Sequence, residues 1–253
     1  MNTSATPPSK NEQKRQAVIE IEGLSAGYGP MRVIHDLDLS VYPGERVGLV
    51  GLNGHGKSTL FFAIAGLTTW QRGSILLNGR QVGRTRSQGP GRYTHTIVQQ
   101  GLALIPQGDE IFTGLSVEDH LDSGAFTKQA WRERSKRKAR VLEIFPPLGK
   151  LMKTPVGRLS GGERRMVSIG RGLMSDASLF LVDEPSLGLA PKIGKSVLDA
   201  LMSLDLRDAA MVIAEQNFAL LDGKVDRTLN MHAGKLKGGT GLSFGVHAEL
   251  EKE

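Results

Sequence analysis

Residues Gly51 to Ser58, Gly-Leu-Asn-Gly-His-Gly-Lys-Ser, constrain this chain more than any other stretch, because they fill the spacing G-x-x-x-x-G-K-[ST] completely. Glycines at these positions let consecutive backbone amides turn inward around phosphate oxygens. The run Arg46 to Val50 reads as a strand entering the loop, and Ser58 to Leu67 as an apolar helix leaving it. The loop therefore ends at a helix N-terminus, whose partial positive charge favours anions. In such a loop Lys57 would reach the β- and γ-phosphates of a nucleotide, and Ser58 would ligate Mg2+. An ordinary glycine-rich turn is the competing reading, and the flanking strand and helix count against it. His55 is read as a tolerated loop residue and not as a catalyst.

Leu179-Phe180-Leu181-Val182-Asp183-Glu184 is an apolar strand that ends in two adjacent carboxylates. In an open parallel sheet, ligands gather at the carboxyl ends of strands, so the pair is expected to face the same crevice as the glycine-rich loop. Asp183 would hold the Mg2+ shell, while Glu184 would polarise a water in line with the γ-phosphate. Capping of the next helix is the plainer use of two acids before Pro185. Leu159-Ser160-Gly161-Gly162-Glu163 reads locally as a capping box at the start of a helix. Two glycines just inside a helix cost about 1 kcal/mol each relative to alanine, so something else should require them. Close backbone approach to a phosphate is such a requirement, and it gives the chain a second phosphate reader.

Elsewhere, Val18 to Leu24 and Leu37 to Val41 look like strands, the second alternating Asp36, Asp38 and Ser40 with Leu37, Leu39 and Val41 as in a half-buried antiparallel sheet. Ser74 to Leu77 with Asn78-Gly79 reads as a hairpin, and Gln81 to Thr96 as a Gly/Arg-rich loop. Ser116 to about Lys150 is helical in pattern, giving a mainly helical lobe inserted within an α/β core. Met211 to Ala214, like Leu179 to Val182, is a short apolar run of the kind found in central parallel strands. Asp226 to Leu236 suggests a closing strand pair about Ala233-Gly234. Residues 1–16 are expected to be a disordered N-terminal tail, 17–238 the folded domain with its helical subdomain at about 115–165, and 239–253 a C-terminal tail.

With 253 residues there is room for one large α/β domain. The absence of cysteine excludes disulfides and thiolate metal sites. No apolar stretch approaches the roughly 20 residues of a transmembrane helix. A net charge of +6 favours contact with polyanions, and the basic run Arg132, Arg134, Lys136, Arg137, Lys138 and Arg140 is its sharpest expression. That run is either a solvated helix face or a contact with acidic lipid or an acidic partner.

The strings GLNGHGKST, LSGGE and LFLVDEP, in that order, resemble the ATP-binding cassette family from about Val18 to Leu236. The resemblance implies an α/β fold: a P-loop NTPase core with an antiparallel β subdomain and an inserted α-helical subdomain. It implies an ATPase with ATP and Mg2+ as cofactors, the nucleotide being held by the loop residues Gly51, Leu52, Asn53, Gly54, His55, Gly56, Lys57, Ser58 and Thr59. Leu159, Ser160, Gly161, Gly162 and Glu163 of one subunit would complete the ATP site of its partner. Tyr28 matches the aromatic that stacks on adenine, and Gln107 the glutamine that touches Mg2+ and faces the membrane subunits. IPQGDEIFTGLSVEDHL, DEPSLGLAP and AEQN are similar to one ATPase type of branched-chain amino acid importers and their amide or urea relatives. At the switch-histidine position stands Gln216, which can donate to a phosphate oxygen but carries no proton near neutrality. Ser186-Leu187-Gly188-Leu189 lacks the usual aspartate. The implied partners are membrane permease subunits, a second ATPase chain (similar but non-identical, or a second copy) and, indirectly, a periplasmic solute-binding protein, with the chain peripheral on the cytoplasmic side of the membrane. A soluble relative acting on nucleic acid or ribosomes is the alternative; its members usually carry two fused cassettes or cysteine zinc modules, so no nucleic acid partner is expected.

Overall fold

The structure is a computed structural model that describes residues 16–82, 93–108 and 110–237. The expected tails lie outside the described residues except for Gln16, as do residues 83–92 of the Gly/Arg-rich stretch. The elements run β1 (Ile19–Tyr28), β2 (Met31–Val41), β3 (Arg46–Val50), α1 (Lys57–Ile64), β4 (Trp70–Leu77), β5 (Arg80–Gln81), α2 (Thr94–Gln99) and β6 (Leu102–Ile105). There follow α3 (Val117–Ser123), α4 (Lys128–Arg132), α5 (Arg134–Ile144), α6 (Gly161–Leu173), β7 (Leu179–Asp183), α7 (Pro191–Met202), β8 (Ala210–Glu215), β9 (Arg227–His232) and β10 (Lys235–Lys237).

Four strands form an antiparallel sheet in the order β2-β1-β4-β5. On β2 the residues Leu37, Leu39 and Val41 are buried while Asp36 and Asp38 are exposed and Ser40 partly so, and the period-2 pattern sets which face packs inward. Asn78 and Gly79 both take positive φ, 51° and 72°, which closes the β4–β5 hairpin with the twist its strands require.

A second sheet has the order β10-β9-β3-β8-β7-β6. Its strands β9, β3, β8, β7 and β6 are parallel, and β10 returns as an antiparallel hairpin. Here both faces are covered. Leu179 and Leu181 of β7, with Ala210, Val212 and Ala214 of β8, pack into one core shared with α1 and the antiparallel sheet. Phe180, Val182, Met211 and Ile213 pack into the other, shared with α3, α6 and α7. Each large apolar side chain buried this way contributes about 1.5–3 kcal/mol, which is why such short strands are stable at the centre.

Three elements lie outside the sequence expectations. Strand β6 lies at the sheet edge, α2 replaces the end of the expected loop, and α7 begins at Pro191, where proline at the first turn is favourable. Helix α1 stops at Ile64, short of the expected Leu67, because Gly66 turns the chain with φ 71°. The basic run is largely consumed inside the chain. Arg137 meets Glu133 at 2.8 Å, Lys138 meets Glu118 at 3.1 Å and Asp122 at 2.9 Å, Arg140 donates to the Asp205 carbonyl, and Arg134 stacks 4.4 Å from the Trp131 ring centre. Arg132 remains on the exposed face, and Lys136 beside it.

Candidate functional site

Parallel pairing brings the carboxyl ends of the central strands to one edge. Ile105 lies beside Val182, Asp183 beside Ala214, and Val50 beside Glu215. The residues that follow each strand, Gln107, Glu184, Gln216 and the Gly51 loop, therefore emerge together.

The loop itself wraps into α1. A Cβ on Gly51 would fall 2.4 Å from the Met231 carbonyl oxygen, so only glycine lets β3 leave the sheet here. Gly56, at φ 103°, turns the chain into the helix and supplies no side-chain cap. The first amides of α1 thus stay open to an anion. His55 is taken up by the β9–β10 hairpin: its Nδ1 lies 3.2 Å from the Met231 carbonyl oxygen, its ring meets His232 edge-on, and its carbonyl accepts from Gly234. Leu52, Asn53 and Gly54 are exposed, and Ser58 and Thr59 are partly buried.

Lys57 is buried, with Nζ donating to the Gly51 carbonyl at 2.7 Å and standing 3.0 Å from Glu184 Oε1. Gln107 Nε2 donates to the other Glu184 oxygen at 3.4 Å. Glu184 adopts φ 42°, a left-handed conformation that costs a non-glycine residue on the order of 1–3 kcal/mol and persists only where the surroundings enforce it. Its amide donates to the Ala214 carbonyl at 2.9 Å. The buried Glu215 carboxylate accepts from the Ser186 amide at 3.1 Å and fixes the chain just beyond. Neither Asp183 nor Glu184 caps a helix: α7 starts at Pro191, with Ala190 as its N-cap.

Asp183 is buried, and neither of its carboxylate oxygens has a hydrogen-bond partner. Burial pushes its pKa up; the neighbouring Ser58 hydroxyl pulls it back, the Glu184 charge raises it further, and Lys57 and Arg165 lower it. Two orphaned oxygens beside a serine hydroxyl fit a hard cation with oxygen ligands. Among the described residues no group of three or more His, Cys, Asp or Glu side chains gathers to hold a metal. Mg2+ is commonly bound by one or two carboxylates together with phosphate oxygens and water, so the single carboxylate of Asp183 with a neighbouring hydroxyl is a set of the kind it uses.

Burial raises the pKa of Tyr28, and the Thr59 hydroxyl opposes the rise, which places the phenol beside the first turn of α1. Gln216 is exposed just past β8. The Ser160 capping box is formed: Glu163 Oε2 accepts from the Ser160 amide at 2.8 Å, and Ser160 Oγ accepts from the Glu163 amide at 3.4 Å. None of these hydrogen bonds reaches the Gly51 loop of the same chain.

The family model described as ABC transporter matches residues 34–187, more than half of the sequence. The chain belongs to the ABC transporter family. As an ABC transporter chain it is 33% identical over 219 residues to the high-affinity branched-chain amino acid transport ATP-binding protein BraG of Pseudomonas aeruginosa, covering 87% of this chain and 91% of that one. It is 34% identical to the probable branched-chain amino acid transport ATP-binding protein LivF of Archaeoglobus fulgidus, covering 90% and 94%. A solved ATP binding subunit of an ABC transporter superposes with a TM-score of 0.72 at 27% identity, covering 87% of this chain and 88% of that one. The chain is thus an ATPase subunit of an ABC transporter, with an α/β ABC ATPase fold.

Two buried residues of this ABC transporter site, Glu215 and Arg165, receive no role from the motifs that the sequence displays. Glu215 ends an apolar strand just as Asp183 does, and that pattern is the signal that points to it. Arg165 is almost fully buried, whereas an arginine pair near a helix start reads as a solvated face.

Proposed function

We propose that the chain binds MgATP between two such subunits and hydrolyses it to drive an importer, docked on permease subunits at the cytoplasmic face of the cell membrane. The observation that carries this reading is the convergence of Lys57, Gln107 and Glu184 in hydrogen-bonding contact at the strand ends, beside the orphaned Asp183. In it Lys57 leaves Glu184 to hold the β- and γ-phosphates, within a cradle formed by the loop amides from Gly51 to Thr59. Glu184 then takes the proton of the attacking water, and Gln216 donates to the γ-phosphate. Ser58, Asp183 and Gln107 would hold Mg2+, which supplies charge neutralisation between the phosphates. Tyr28 stacks on adenine. Leu159 to Glu163 of the partner ATPase, a similar chain or a second copy, closes over the γ-phosphate from the other side.

Likeness to BraG and LivF supports branched-chain amino acids as the cargo; related amides or urea, and delivery by a periplasmic solute-binding protein, belong to the same proposal on the strength of the sequence resemblance. No helix among the described residues is long and apolar enough to cross a membrane, in keeping with a peripheral subunit.

The test is reconstitution with permeases and a binding protein in proteoliposomes. ATP hydrolysis should rise when the binding protein carries a branched-chain amino acid or amide, and uptake should follow. Sedimentation with RNA, and none with permease-containing membranes, would reverse the reading.

A further inference from the structure

We infer that Arg165 is a positioning residue that sets Gln107 against Glu184, an inference that rests on the proposed roles of those two. Arg165 projects from the first turns of α6 and is 1% exposed, the largest of the fully buried side chains. Its Nη1 donates to the Pro106 carbonyl at 2.8 Å and to the Gly108 carbonyl. Nη2 donates to the Asp183 carbonyl at 2.8 Å, and Nε to the Pro185 carbonyl at 3.3 Å.

Those four carbonyls are not a random set. Pro106 and Gly108 flank Gln107, and Asp183 and Pro185 flank Glu184. One guanidinium thus grips the backbone on both sides of each of the two residues whose side chains meet at 3.4 Å.

The location explains the need. Strands β6 and β7 are in register up to Ile105 and Val182, and beyond that point no ladder pairs them. The guanidinium takes over where the ladder stops, with five donors in a rigid plane that can reach two chain segments at once. Burying it is tolerable because carbonyls meet its donors. Glu184, held in a left-handed conformation on the same turn, depends on such restraint. Arg165 also lies in the helix that begins at Gly161, so the proposed trans contact and both strand ends share one rigid element.

Single-turnover ATP hydrolysis by the full chain tests this, with ATP affinity and Tm measured alongside. The variants are Arg165→Met, Arg165→Lys, Gln107→Ala and the Arg165→Met/Gln107→Ala pair. Arg165→Met should slow hydrolysis about tenfold or more while ATP affinity stays within about threefold, the mark of lost positioning. Arg165→Lys should recover little, because one ammonium cannot hold both segments. The double variant should be no slower than the slower single one, since both remove the same arrangement. Wild-type rates in Arg165→Met, effects that multiply in the double variant, or affinity falling in step with rate would each overturn the inference. If Arg165→Met does not fold, the same cycle run with Arg165→Lys decides. Glu184→Gln serves as the control. Wild-type turnover there removes the base itself, whereas its loss alongside a normal Arg165→Met removes only the role given to Arg165.

Discussion

Lys57 Nζ stands 3.0 Å from Glu184 Oε1, and neither side chain is more than 5% exposed. The cation and the carboxylate neutralise each other in this arrangement. On the function proposed above, nucleotide entry exchanges one partner of Lys57 for another, and that exchange frees Glu184.

Glu184→Gln keeps the shape of the side chain and removes its charge, so Lys57 has less to give up on binding ATP. Affinity for ATP should equal or exceed that of the wild type, while single-turnover hydrolysis falls about 10²- to 10⁴-fold. Equilibrium titration with a fluorescent ATP analogue and a quench-flow measurement check the two halves separately. Near-normal turnover would remove Glu184 as the base.

Lys57→Met should destabilise the nucleotide-free chain by about 3–5 kcal/mol, because it strands a buried carboxylate. Adding Glu184→Gln should restore most of that loss, which urea denaturation of the single and double variants can read. A Lys57→Met chain as stable as wild type would mean that the pair is solvated in solution.

The chemistry at this edge is legible from the sequence because each motif carries its own spacing. Strands β3, β7 and β8 stand out because four or five consecutive apolar residues running into glycine or acid fit few elements besides a central strand. The β6 run, Leu102 to Ile105, is just as short and apolar, but it follows the Gly/Arg-rich stretch and has no glycine or acid at its end to mark it. Arg165 is not legible at all. Its burial depends on carbonyls from residues 57 to 59 positions back and 18 to 20 positions ahead, and only the closed sheet brings these together. The Lys57–Glu184 contact is hidden in the same way, since motif spacing describes the nucleotide-bound arrangement.

Asp183 and Glu215 link stability to pH. Burial is the first cause of the raised pKa in both, and for Glu215 the Ser186 hydrogen bonds oppose it while the Glu184 charge adds to it. A carboxyl with a raised folded pKa gives stability that is fully present below its unfolded value of about 4 and is lost as pH rises through the folded value. Asp183→Asn lacks this loss. Its Tm without nucleotide should match the wild type near pH 4 and exceed it by roughly 2–4 °C at neutral pH for each 1 kcal/mol of relief. MgATP should raise the Tm of the wild type and not that of the variant. Thermal scans across pH, with and without MgATP, would refute this if the two Tm curves ran parallel throughout.

Gly161 and Gly162 separate what the fold needs from what a partner would need. A Cβ on Gly162 would come within 2.8 Å of Ile193 Cγ2 on α7, so packing inside the chain already restricts that position. At Gly161 the nearest atom is the Arg164 guanidinium at 4.0 Å, which leaves room for a side chain. Gly161→Ala should therefore leave the stability of the isolated chain within about 1 kcal/mol, any change being a gain, since alanine is the better helix former. If a nucleotide on the partner subunit approaches this backbone, the added methyl should lower kcat of the assembled transporter about tenfold or more. Gly162→Ala, by contrast, should lower the Tm of the isolated chain, because Ile193 has to shift. Normal ATPase activity of the assembled Gly161→Ala complex would show that no phosphate comes close to this helix start, and the glycine would then be without a structural reason.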